Sequence, residues 1–66
     1  MFNSILISEL GLVKTNSKID SYERIFGKYT YVYSNSIFED YELYTIDGVF
    51  IKDFYEEEFI SKVRSE

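Results

Sequence analysis

The sequence contains no cysteine, histidine, proline or tryptophan, and only three of its 66 residues are glycine. Without cysteine no disulfide can staple the chain, and no thiolate can hold zinc or act as a nucleophile. Without histidine the side chain that most readily exchanges protons near neutral pH is gone. The chemical vocabulary shrinks to carboxylates, Lys, Arg, Tyr and Ser. Gly11, Gly27 and Gly48 lie too far apart for a glycine-rich phosphate loop. No apolar run approaches the roughly 20 residues of a membrane span. Met1-Phe2-Asn3-Ser4-Ile5 also lacks the positive n-region of a signal peptide, so a soluble cytoplasmic protein with no membrane partner is expected. Alanine and glutamine are missing too, while Ile, Lys, Asn, Tyr and Glu are plentiful, a bias that fits an AT-rich coding sequence such as those of low-GC bacteria and their phages.

What is present is aromatic and acidic. Seven Tyr and six Phe give a short chain a way to bury area, since each ring can cover on the order of 150–250 Å². At this length one domain, residues 1–66, with one modest core is expected, and self-association as a homodimer is a common remedy for marginal stability. The net charge of −5 is unevenly placed: residues 1–33 carry three acids and four bases, residues 34–66 nine acids and three bases. Such a balance argues against direct nucleic-acid binding, which needs a basic footprint to displace counterions from phosphates. It points toward a protein partner with a basic surface, or toward none.

The stretch from Tyr41 to Phe54 organises the chain. Two runs of β-branched and aromatic residues flank Asp47-Gly48, a dipeptide suited to a type I′ hairpin turn. Tyr41, Leu43 and Thr45 share one strand face, with Tyr44 and Ile46 on the other. Before it, Tyr29, Tyr31 and Tyr33 recur at period two opposite Thr30 and Val32, the mark of a strand. Thr30 and Val32 are too small to fill a core alone, so the tyrosines are expected inside, with Tyr22 and Tyr55 at the surface; the alternative, with Thr30 and Val32 inward, makes the tyrosines an exposed ladder suited to contact with a partner. Strands at about 28–34, 40–46 and 49–54 make a meander.

The ends read less simply. Residues 3–8 form a short apolar run of strand length with Gly11 as a bulge, and a helix from Ser4 to Leu12 is the competitor. Thr15 to Lys18 is loop by composition. Asp20-Ser21-Tyr22-Glu23 has capping-box form and predicts one helical turn over 21–26 stopped by Gly27, while the alternation in the same residues permits a strand. In the tail, Asp53 and Glu56 again have capping-box spacing. Glu56, Glu57 and Glu58 stand where a helix dipole favours anions, and Lys62 and Arg64 where it favours cations. Tyr55, Phe59 and Val63 recur every four residues, so a helical turn or a helix of up to three turns is predicted.

Gly27-Lys28-Tyr29-Thr30-Tyr31-Val32, Tyr41-Glu42-Leu43-Tyr44, Asp47-Gly48-Val49-Phe50 and the closing Phe54-Tyr55-Glu56-Glu57-Glu58-Phe59 together resemble the SH3-like small barrels of bacterial and phage proteins. The resemblance covers a little over half the chain. It departs from that pattern in the first 26 residues and in the length of the tail helix. It implies a binding module and no particular ligand. The fold expected is mainly β, a small antiparallel meander or SH3-like barrel with a short C-terminal helix or helical turn.

An enzyme is not expected. A carboxylate pair would need two environments that push their pKa values apart and a pocket to hold both. Nor is a metal or cofactor expected, because consecutive helical residues diverge by about 100°, so Glu56 to Glu58 cannot converge on one ion. The acidic stretch from Glu39 to Glu58 is the sharper clue, with eight acids against the single base Lys52. It can imitate a row of phosphates and occupy the basic groove of a nucleic-acid enzyme, or it can simply keep the protein soluble. The function expected is a small acidic, non-enzymatic protein-binding module, encoded by a phage or mobile element, that docks on and inhibits a host protein handling nucleic acid or defence. Its partner-binding residues are Glu39, Asp40, Glu42, Tyr44, Asp53, Tyr55, Glu56, Glu57 and Glu58. The alternative is an accessory protein that assembles as a homodimer.

Overall fold

The computed structural model describes residues 4–16, 21–35 and 38–66. Five strands form one open antiparallel sheet in sequence order: β1 (Val13–Asn16), β2 (Ser21–Phe26), β3 (Tyr29–Asn35), β4 (Glu39–Thr45) and β5 (Phe50–Asp53). Helix α1 (Ser4–Glu9) precedes the sheet and α2 (Glu56–Ser65) follows it. The chain is therefore a mainly β meander with a short C-terminal helix. Among the described residues no helix is long and apolar enough to cross a membrane.

One sheet face carries the core. Tyr31 and Tyr33 on β3 and Tyr41 on β4 are buried, together with Leu10, Leu12, Phe54, Phe59 and Val63. Phe59, at 0% exposure, is the plug. Its ring lies 5.4 Å from that of Tyr41, 6.0 Å from Phe54 and 6.1 Å from Tyr31. Rings in such tilted and edge-on arrangements add to the area they bury. The period-two tyrosines thus point inward, although Tyr29, at the strand's start, is exposed.

Several local expectations need correction. Residues 4–9 are helical, and Gly11 is the helix stop where a strand bulge was expected. Leu12 N–H donates to Ile7 O and Gly11 N–H to Ser8 O, with Gly11 at φ 74°, which is a Schellman ending. Residues 21–26 form a strand and no helical turn, because pairing with β3 across the whole length, from Ser21 opposite Ser34 to Phe26 opposite Tyr29, outweighs a single capped turn. Asp20, half of that capping box, lies outside the described residues, as do Ser17 and Lys18 of the expected loop; Thr15 and Asn16 of that loop are in β1. Tyr22 packs inward, stacked 6.1 Å from Tyr33, and does not lie on the outer surface.

The Asp47-Gly48 reversal exists, but in a different geometry. Gly48 alone has positive φ, at 91°, and Asp47 does not. Gly48 N–H donates to Thr45 O and Thr45 N–H to Val49 O, so three residues form the loop. This is a type I turn closed by a left-handed glycine, the three-residue alternative to type I′. At the tail, Asp53 ends β5, and the N-cap position belongs to Tyr55, which makes no side-chain cap bond. Phe59 and Val63 form the buried stripe of α2, while Tyr55 is 86% exposed.

Candidate functional site

Both helices lie on the core face, which among the described residues leaves the other face of the sheet bare. Register fixes who shares it. Val32 stands between Glu23 on β2 and Glu42 on β4, and Glu42 in turn faces Asp53 on β5. One row on, Thr30 stands between Ile25 and Tyr44, and Tyr44 faces Phe50. In the other direction Ser34 lies between Ser21 and Asp40. The β4–β5 register slips by one residue at Ile51, and this bulge brings Phe50 onto the bare face, its ring 5.7 Å from Tyr44 and edge-on to it. The sheet curves into a groove of about 390 Å³ over this face, lined by Glu23, Thr30, Val32, Ser34, Glu42 and Tyr44 among others.

Charge divides across the sheet. Lys14 pairs with Tyr22, Arg24 with Tyr31 and Lys52 with Leu43, all core-face neighbours. Arg24 Nη1 donates to Leu10 O at 2.7 Å, and its guanidinium lies 4.4 Å from the Phe26 ring. Lys52 sits 3.4 Å from Glu58 and 4.9 Å over the Phe54 ring. Lys62 and Arg64 belong to α2, where Arg64 meets Glu9 at 2.7 Å. Glu23, Asp40, Glu42 and Asp53 have the bare face, and no described strand places a basic residue among them.

The nine residues predicted to bind a partner are thereby split. Asp40, Glu42, Tyr44 and Asp53 come together on the bare face. Tyr44 donates its hydroxyl to Glu42 Oε1 at 3.1 Å. Its phenol is held above the ordinary tyrosine value by burial first, then by that bond and by the charges of Glu42, Asp53 and Asp40, so three carboxylates act on one ring. Glu39 points to the core side, where it accepts from Tyr33 and Tyr41, each at 3.3 Å. Glu56 belongs to the same end: its charge, after burial, helps to raise the Tyr41 phenol far above normal. Glu57 is exposed on α2, Glu58 pairs with Lys52, and Tyr55 stands out at the helix start.

Sequence reasoning missed Glu23, Thr30, Val32 and Phe50. The period-two alternation that permits a strand over 21–26 already places Glu23 on one face with Ile25, but it does not say which face of the sheet that is. Thr30 is only 7% exposed, although no helix covers it. Its hydroxyl makes no side-chain hydrogen bond among the described residues. Since no described side-chain oxygen or nitrogen is both sealed from solvent and unpaired, that hydroxyl opens into the groove. No three described carboxylates converge closely enough to hold a metal ion.

Scanning family models and searching curated proteins and solved structures finds no match to this chain. The SH3-like resemblance rests on its residues alone.

Proposed function

We propose that this protein is a small acidic, non-enzymatic binding module that docks in the cytoplasm on a protein with a basic surface. The separation of charge across the sheet carries this reading. Acids that served only solubility would need no such sorting, whereas here the strand bases Lys14, Arg24 and Lys52 lie on the core side while Glu23, Asp40, Glu42 and Asp53 face outward. Potentials of one sign over such a groove speed encounter with an oppositely charged surface and select against others. Val13, Ile25, Ile46 and Phe50 are exposed and supply apolar area beside the carboxylates. The compositional bias supports a phage or mobile-element origin, and with it inhibition of a host protein that handles nucleic acid or defence by occupying its phosphate-binding surface.

Homodimer assembly is a second reading, favoured by exposed Val49 and Ile51 next to and within the edge strand β5. It would not use the bare face, because a two-fold axis there sets acids against acids.

A pull-down from host lysate at low and high salt tests the proposal. Capture of a basic protein that is lost at high salt, and lost again when Asp40, Glu42 and Asp53 are changed to Lys, is the expected result. Salt-insensitive capture, or no capture together with a dimeric mass by light scattering, would overturn it in favour of assembly.

A further inference from the structure

Resting on that docking reading, we infer that the bare face is built to receive an arginine side chain of the partner, held between Glu42, Asp53 and Asp40 against the Tyr44 ring. Three features point there. First, Glu42 and Asp53 are directly opposed on neighbouring strands, an arrangement of like charges that destabilises a sheet. A cation placed between them relieves the repulsion, and no residue of the described chain does so. Second, Tyr44 and Phe50 stand in the adjacent row with their rings in edge contact. A planar guanidinium can stack on such a ring while its fork donates to two carboxylates, and neither an ammonium nor a metal ion does both. Third, the Thr30 hydroxyl lies one strand away, in the same row as Tyr44, nearly buried and without a side-chain partner. It is placed to exchange a hydrogen bond with the backbone of a segment lying in the groove, whose apolar side chain would rest on Val32.

The probe is a blocked nonapeptide alternating arginine and valine, with counterparts in which lysine or citrulline replaces arginine. Each is titrated into the isotope-labelled full chain and followed by amide chemical shifts. The arginine peptide is expected to move resonances of residues 30–34, 42–44 and 50–53, to bind about threefold more tightly than the lysine peptide, and to leave the citrulline peptide unbound. Asp53→Asn and Glu42→Gln should each weaken it about fivefold, the size of a partly exposed ion pair. Thr30→Val, which keeps the shape, should weaken it as well while the unfolding midpoint stays put. Equal binding of lysine and arginine peptides overturns the arginine assignment. Binding that moves to α2 and is lost on changing Glu56, Glu57 and Glu58 to Lys overturns the site but leaves acidic docking in place. No binding of either basic peptide at low salt removes both.

Discussion

On the core face, polar groups find partners within the chain. Tyr33 and Tyr41 share Glu39, Tyr31 reaches Glu66 at 3.0 Å, and Arg24 holds the end of α1. Across the same sheet, Glu42 faces Asp53 and Thr30 has no side-chain hydrogen bond among the described residues. The strands are shared, so backbone geometry cannot explain the contrast. Side chains alternate between a face that packs against both helices and a face that packs against no other described element. A small domain has little stability to spare, roughly 3–10 kcal/mol at this length. Like charges set opposite each other, with no cation of the described residues between them, are then hard to account for as packing and natural to account for as binding.

The comparison breaks most visibly at Phe59. Phe59→Ala empties the centre of the core face and should cost about 3–5 kcal/mol, enough to leave the chain largely unfolded by circular dichroism in urea. Gly11→Ala comes next. A Cβ there would meet Arg24 Nη1 at 2.8 Å, and the left-handed backbone adds about 1–2 kcal/mol; a lowered urea midpoint is expected, with loss of the Arg24 bond to Leu10. A smaller effect appears with pH. The phenols of Tyr31, Tyr41 and Tyr44 are all raised in the folded state, chiefly by burial. The unfolded chain therefore releases these protons first, so the contribution is intact below pH 10 and fades as pH rises beyond it. Urea midpoints falling only above that pH, together with phenolate absorbance that rises with unfolding, would bear this out; a flat midpoint would contradict it. Smallest of all, Asp53→Asn should raise stability by about 0.2–1 kcal/mol by ending a cross-strand repulsion.

Much of the core face was legible from sequence. Tyr31 and Tyr33 on one face, Tyr41 and Leu43 on another strand's shared face, and Phe59 and Val63 on one helical stripe follow from periodicity, and the small size of Thr30 and Val32 turns the tyrosines inward. The reversal at Asp47-Gly48 was legible too, though not its type. Whether a type I turn with one left-handed glycine replaces a type I′ turn depends on the bonds that Thr45 makes to Gly48 and Val49, which composition does not specify. Residues 4–9 were misread because Ser-Ile-Leu-Ile suits a strand as well as a helix over so short a run, and only the Gly11 ending and the contacts of Leu6, Ile7 and Leu10 with the core decide it. The candidate face was half legible. The acids of the Glu39 to Glu58 stretch were visible, but their division between two faces depends on the bulge at Ile51 and on register with β2. Glu23 reaches the face only through β2, a segment whose sequence permits a strand as well as a capped helical turn.

One double variant, Glu42→Gln with Asp53→Asn, measures the two faces against each other most directly. Its unfolding free energy should equal or slightly exceed that of the wild-type chain, while its affinity for the arginine–valine peptide falls by an order of magnitude or more if the two effects add, roughly fivefold each. A marked loss of stability, or peptide binding as tight as before, would show that the opposed acids hold the sheet together or lie idle, and that the bare face is not where the partner docks.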